Sequence, residues 1–312
     1  MNLNRNNLKI GIKKLGIAAL VVAGVFLVDR FCHRQTDGFA LYKICSDLSF
    51  QPEWEVPPLP LEEEMALEEI LDQPYTYFAK GAQSYVFLSE DGKYVMKFFR
   101  IYHLRPPLLL TAWDWPPPFR AYRQSKIKQK RQELEKDFNS YKIAYEQFKE
   151  ETGLVYLHLN KTEGRHQKLK LHDKIGVVHE LDLDRMEFLV QKRATLSYPT
   201  LAHITETEGV ESGKKALTAL VGLLALRIQK GIKDKDPDLN TNFGFLDGHQ
   251  PVQIDVGRFR IEPDAPPLSP EGLRDEIIRI TDNLNQWLRV RYPALSAHLE
   301  SEIRQLVAND ER

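Results

Sequence analysis

Carboxylates and amides able to grip a cation crowd into residues 231–259. An acidic, turn-forming run carries Asp234, Asp236 and Asp238, and Asn240 and Asn242 follow it. A short apolar strand at 243–246 leads to Asp247-Gly248, a hairpin turn signal. A second strand at 251–254 runs straight into Asp255-Val256-Gly257. Such a hairpin presents carboxylates and an amide at its two ends. That suits a divalent cation held against phosphates, because Mg²⁺ wants hard oxygen ligands and usually takes only one or two from protein. Far upstream, Lys97 sits inside an apolar strand between Val95, Met96, Phe98 and Phe99. A lysine there is expensive to bury without an anionic partner; the alternative is an ordinary hairpin with Lys97 turned to solvent.

The approach to that strand contains the small residues Gly81 and Ser84, where backbone amides can cover phosphates. A small-residue loop, a strand lysine, a helix, a hinge-like strand, an Asp/Asn loop and Asp-x-Gly then follow in order over 75–290. In this order they resemble the protein-kinase-like superfamily, in a divergent form. The resemblance implies an ATP and Mg²⁺ site. Gly81, Ser84 and Val86 take positions of the glycine-rich loop, and Lys97 meets the nucleotide phosphates. Asn242 and Asp255 hold the metal. It also implies a helix glutamate paired with Lys97: Glu135, with Glu133, Asp137 and Glu146 as alternatives. Backbone groups at 192–194 would face an adenine edge. The base position is displaced, because Pro237 stands where the family has its aspartate. Asp236 is the expected base, with Asp238 and Asp234 behind it. The His-Arg before the usual aspartate is absent, and so is an Ala-Pro-Glu-like motif.

These groups need a frame. Strands are expected at 77–88 and 94–99, at 154–159, at 168–171 with 175–178, and at 186–194. Together they make an α+β, bilobal, kinase-like fold with an antiparallel N-lobe sheet of about five strands. A long helix at 122–151 places Leu134, Phe138, Tyr141, Ala144, Tyr145 and Phe148 at helical spacing and stops at Gly153. A second helix at 209–230 is apolar enough to be buried. Ser269 and Pro270 open a helix at 270–291 with Ile277, Ile278, Ile280, Leu284, Trp287 and Leu288 inward, and a last helix covers 294–308. The chain thus divides into an anchor-like segment (1–34), a linker with a short acidic helix (35–74), an N-lobe (75–194) and a reduced helical C-lobe (195–312).

The anchor expectation rests on Arg5, Lys9, Lys13 and Lys14 before an uncharged apolar run at 15–28. That run is short against the ~20 residues of a bilayer span, but Ile10 and Phe31 extend it, and no small-x-small cleavage site follows. A buried core helix is the alternative. The charge bias places the N-terminus in the cytoplasm and the remainder across the membrane, where ATP is scarce. The stretch 103–118 holds four leucines with Trp113 and Trp115, broken by prolines, and a basic run from Arg120 to Arg131 follows. It reads either as a membrane-interface element (104–131) or as an apolar loop packed on the domain. The chain has 312 residues, 42% hydrophobic and 28% charged, with a net charge of -1. That is ample for a core and gives no global field for nucleic acid, which is not expected as a partner. Cys32 and Cys45 either pair or stay free, and no zinc spacing or repeat is present. Three functions follow. They are ATP/Mg-dependent phosphoryl transfer to a hydroxyl of a small-molecule, sugar or lipid-linked acceptor; a pseudokinase scaffold; and a membrane-anchored structural protein of unrelated fold.

Overall fold

The computed structural model of the chain describes residues 3–111, 116–262, 266 and 268–308. It opens with helix α1 (Leu3–Gln35), whose residues Lys13–Gln35 include an 18-residue stretch with a mean hydropathy of 2.1 and no residue of it buried. At 1.5 Å per residue the 23 residues Lys13–Gln35, charged ends included, are about 35 Å long, enough to cross a hydrocarbon core of about 30 Å. Its apolar side chains point outward all round, so the buried-core-helix alternative does not hold. Asp37 and Gly38 both adopt positive φ (50° and 71°) and turn the chain back onto the domain.

The stretch expected as a linker is packed. Phe39 and Ile44 are buried, and Phe39 lies edge-on to Tyr85 and Phe87 at 5.2 and 5.3 Å between ring centres. The acidic helix α2 (Leu61–Leu71) buries Leu67, Ile70 and Leu71. Leu67, Ile70 and Leu71 keep helical spacing, whereas Phe39 and Ile44 stand in a turn-rich stretch without periodicity, and Phe39 packs on the sheet that follows.

That sheet has seven strands, not five. β1 (Tyr75–Lys80), β2 (Ser84–Ser89) and β3 (Tyr94–Phe99) form the expected antiparallel hairpins, and β4 (Leu154–His158) lies at one edge. β5 (Lys168–His172) and β6 (Val178–Asp182) extend the far side, and β7 (Phe188–Lys192) inserts between β3 and β4. The order is β4-β7-β3-β2-β1-β5-β6. β5 joins β1 in parallel, so the sheet is not wholly antiparallel. The cause is an edge problem: β1 would otherwise expose unpaired backbone groups, and the β5–β6 hairpin covers them. Residues 175–177, expected in a strand, form its turn instead, with Gly176 at φ 84°.

Two short helices, α3 (Ile101–Leu104) and α4 (Leu108–Thr111), lead into α5 (Pro117–Gln147). The second half of α5 buries Leu134, Phe138, Tyr141, Ala144 and Tyr145 at three- and four-residue spacing, against Phe99 and Trp54. The short α6 (Lys149–Thr152) ends on Gly153, φ 64°, as expected. Leu110 is buried and its carbonyl accepts from Arg123 Nε at 2.6 Å, so part of the apolar insertion packs on the domain. Trp113 and Trp115 lie outside the described residues.

The C-terminal part is helical. β8 (Thr195–Leu196) leads into α7 (Ser197–Thr207), which the sequence did not announce, and α8 (Val210–Gln229) follows. α9 (Pro270–Arg291) and α10 (Pro293–Ala308) pack on α8. Ser269 caps α9 by accepting from Gly272 N at 3.2 Å; Ile278, expected inward, is exposed. Between α8 and α9 lie β9 (Ile232–Asp234), β10 (Phe243–Leu246), β11 (Gln250–Gln253) and β12 (Phe259–Ile261). β10 and β11 form the expected hairpin, with Asp247 at φ 47° and Gly248 at φ 78°. β10 also pairs with β8, and a Cβ on Gly244 would lie 2.5 Å from the Thr195 carbonyl oxygen, so only glycine fits there. Cys32 and Cys45 are both free thiols.

Candidate functional site: a crevice between Lys97 and the Asp255 turn

Register decides which way Lys97 points. β2 and β3 pair Val86 with Lys97, and β3 and β7 pair Lys97 with Leu189, so these three share one face of the sheet. That face looks toward the hairpin of the helical part. Lys97 Nζ reaches across and donates to the carbonyl of Ile254 at 2.7 Å, one residue before Asp255. Among the described residues no carboxylate lies within ion-pair distance of Lys97. Burial pulls its pKa below the ordinary lysine value, and the charge of Asp255 partly restores it. A half-buried ammonium whose one acceptor is a neutral carbonyl is under-compensated.

Asp255 is exposed, and its Oδ1 accepts from Gly257 N at 3.2 Å, fixing the carboxylate in a local turn. Asn242 is tied to it through the backbone: its carbonyl accepts from Ile254 N at 2.8 Å and Asp255 N at 3.3 Å. The Asn242 side-chain amide donates to the Asp236 carbonyl at 2.6 Å, and its Oδ1 accepts from Thr241 Oγ1 at 3.1 Å. The oxygens on offer to a metal are thus the Asp255 carboxylate and an Asn242 amide oxygen that Thr241 already engages. Among the described residues no group of three or more His, Cys, Asp or Glu gathers around a metal position. Mg²⁺ fits such a sparse set only when phosphate oxygens and water complete the shell.

The three acids of the loop fare differently. Asp234 is enclosed: its Oδ2 accepts from Gln253 Nε2 at 2.6 Å and lies 3.4 Å from Arg227, whose guanidinium also donates to Gln253 Oε1 at 2.8 Å. Burial pushes the Asp234 carboxyl up and the Arg227 guanidinium down from their ordinary values, and their mutual attraction opposes both. Asp238 uses both oxygens locally, on Asn240 N at 3.0 Å and Thr241 Oγ1 at 2.8 Å. Asp236 is exposed, and its backbone N–H is held by Asp234 Oδ1 at 3.0 Å. Asp236 is thus the acid of the three whose carboxylate is not committed among the described residues.

The helix acid is placed differently from the first expectation. Glu135 is exposed and held by Arg131 at 2.8 Å, Glu133 by Lys130 and Glu146 by Lys142. Asp137, the remaining alternative, faces the crevice. Burial raises its carboxyl to about 6; Arg258 opposes the rise, and Glu133 and Asp255 add to it. The reason for the difference is helical geometry, since residues two apart on a helix point about 200° apart.

The small-residue loop is closed on itself. Gly81 N donates to the Ser84 carbonyl at 2.9 Å, so that amide is spent, and Ser84 is buried. Between them Gln83 drops its side chain into the crevice. Its Nε2 donates to Asp137 Oδ1 at 3.0 Å and to the Gly257 carbonyl at 3.3 Å, and Tyr141 donates to its Oε1 at 3.3 Å. A side chain on Gly257 would overlap Gln83. Ser140 clamps the same turn: its hydroxyl donates to the Val256 carbonyl and accepts from Phe259 N at 2.6 Å. At the hinge, the amides of Lys192 and Arg193 are spent on Gly153 and Lys93 at 2.8 Å each, so an adenine edge would have to meet Ala194 or the carbonyls. Sequence reasoning missed Gln83, Ser140, Arg227 and Gln253. Arg227 and Gln253 carried one signal, polarity between apolar neighbours; Gln83 and Ser140 carried none.

No family model matches the sequence, and no curated protein matches it. Among solved structures the chain is similar to the bifunctional kinase-methyltransferase WbdD, at 16% identity and a TM-score of 0.31 over 71% of this chain and 43% of that one. Monomeric WbdD gives 17% identity and a TM-score of 0.30, over 70% and 44%. Rv3197 from Mycobacterium tuberculosis, solved with erythromycin, gives 15% identity and a TM-score of 0.31, over 73% and 61%. The chain spans about half the length of these structures. Its own geometry carries the reading that follows.

Proposed function

We propose that the chain is a membrane-anchored, kinase-like phosphotransferase that moves the γ-phosphoryl group of ATP to a hydroxyl of a small-molecule, sugar or lipid-linked acceptor. The observation that carries this reading is the reach of Lys97 from the sheet to the turn that begins Asp255. It supports the reading because it sets the Lys97 ammonium against the turn that carries Asp255. Asp255, with the side-chain oxygen of Asn242, would hold Mg²⁺, which when bound supplies charge neutralisation of the phosphate oxygens. The acceptor oxygen forms a bond to the γ-phosphorus as the bond to the bridging oxygen breaks, and ADP leaves. The hydroxyl proton passes to Asp236. Val86 and Leu189 flank Lys97 as an apolar floor for the base of the nucleotide. Helix α1 would anchor the domain in the bilayer, and ATP use requires the domain on the ATP-containing side.

A second reading has its own support. The Gly81 amide is spent and Gln83 fills the crevice, which suits a scaffold that kept the fold without turnover. Thermal stability with ATP, in the presence and absence of Mg²⁺, separates the two. The phosphotransferase reading expects stabilisation that needs the metal and disappears in Asp255→Ala. Indifference to both ligands leaves the scaffold.

A further inference from the structure

The domain is lashed to the end of α1. Lys43 Nζ and Tyr85 OH both donate to the Gly38 carbonyl, at 2.6 and 2.7 Å. Lys174 and Tyr77 both donate to Asp37 Oδ2, at 2.7 and 2.9 Å. No flexible tether separates the helix from the fold. The apolar run of α1 ends at Val28, and Asp29, Arg30, His33 and Arg34 follow it, so if α1 crosses a bilayer its charged end and the turn at Gly38 lie in the headgroup layer. Whatever surrounds Gly38 then meets lipid.

What surrounds it is cationic. Arg100 lies 2.5 Å from His103 Nε2, and Lys130 donates to the His103 carbonyl at 3.0 Å. Arg100 also donates to the carbonyls of Gly81 and Ala82, at 3.3 and 2.9 Å, while its Nε is buried with no partner. Among the described residues, neither Lys43, Lys80 nor Arg100 has a carboxylate within ion-pair distance. After burial, the charges of Arg100, Lys43, Lys130 and Lys80 are what hold the His103 pKa below its ordinary value, so these groups crowd one another. The acids nearby are few: Asp29 acts on Lys43, Asp37 is taken by Lys174, and Glu133 by Lys130. Tyr42 and Tyr102, 57% and 50% exposed, stand edge-on at 5.5 Å beside the cluster. Exposed tyrosines beside uncompensated cations are the composition of a membrane–water interface.

We propose that the surface formed by Lys43, Lys80, Arg100, His103 and Lys130, with Tyr42 and Tyr102, docks on the anionic headgroups of the bilayer that α1 enters. The proposal rests on the anchor reading and not on phosphoryl transfer. It fixes the domain's attitude: the small-residue loop at 81–84, held by Arg100, lies at headgroup level. The crevice then opens next to lipid phosphates, which favours a lipid-linked acceptor over a soluble one. Each cation near an anionic surface strengthens association about fivefold, and salt weakens the effect.

The test uses the full chain in nanodiscs of phosphatidylcholine alone or enriched in phosphatidylglycerol, read by amide hydrogen exchange. The docking account expects residues 39–48 and 100–105 to exchange at least about tenfold more slowly in the anionic discs, with α8 unchanged. The double variant Lys80→Glu/Lys130→Glu, checked for unchanged melting in detergent, should lose that protection; Lys80→Glu alone should lose part of it. Equal exchange in the two discs, or protection that survives charge reversal in a folded variant, overturns docking. Equal protection by soluble glycerol phosphate in detergent reassigns the surface to a free phosphate and also overturns it. Release of the chain from membranes by alkaline carbonate, with no entry into discs, removes the anchor itself and the docking with it.

Discussion

Asp137→Asn offers a test of the crevice that needs no ligand. The Asp137 carboxyl is raised to about 6 from an ordinary 3.8, chiefly by burial, with Glu133 and Asp255 adding repulsion. Between those two pH values the native state holds the proton more tightly than the unfolded chain does. Wild-type stability therefore falls as pH climbs from 3.8 toward about 6, and the deficit persists above. The gap converts, at about 1.4 kcal/mol per pH unit, to a ceiling of about 3 kcal/mol. Asp137 keeps some solvent contact, so screening leaves about 1–2 kcal/mol. Asparagine retains the oxygen that accepts from Gln83 Nε2 at 3.0 Å and removes the charge. At pH about 7.5 the variant should melt about 2–8 °C above wild type, and near pH 4 the two should coincide. A variant less stable than wild type at pH about 7.5, or a gain of equal size at both pH values, refutes the account of a desolvated acid facing Asp255.

Ser140→Ala removes the hydroxyl that bridges Val256 and Phe259 and leaves the Phe259 N–H only its 3.2 Å bond to the Val256 carbonyl; calorimetry should show a loss of about 0.5–1.5 kcal/mol. Gln83→Ala clears the crevice. Its hydrogen bonds compete with an incoming nucleotide, so ATP affinity should rise about fivefold, corresponding to about 1 kcal/mol, while the melting point of the free protein drops. Unchanged affinity would mean that the nucleotide does not enter beneath that loop. A C-terminal reporter active only in the cytoplasm should work, because ATP use demands that side. An inactive reporter would fit the charge bias around α1 and sink phosphoryl transfer while sparing the anchor.

Local signals carried far in this chain. Asp247-Gly248 adopts the positive φ values its hairpin needs, Ser269 caps the helix that Pro270 opens, and Lys97 sits on the face that register gives it. What escaped was set by distant pairings. The β5–β6 hairpin crosses to β1, and β8 pairs with β10 through Gly244; neither leaves a mark in a short window. Phe39 and Ile44 sit in core among turn-forming neighbours, so the segment reads as a linker until the sheet face beneath it is seen. The choice of Asp137 over Glu135 was, by contrast, legible: at about 100° per residue Asp137 lies nearer the stripe of Leu134, Phe138 and Tyr141 than Glu135 does. Gln83 and Ser140 act through contacts more than fifty residues away along the chain, to Asp137 and to the Asp255 turn.

Calorimetric titration of a non-hydrolysable ATP analogue with Mg²⁺ into wild type, Lys97→Met and Asp255→Ala tests the central claim most directly. The account predicts metal-dependent binding in wild type, loss of binding in Lys97→Met, and residual binding without metal dependence in Asp255→Ala. Matching isotherms for all three proteins, or no heat in any of them, would contradict it.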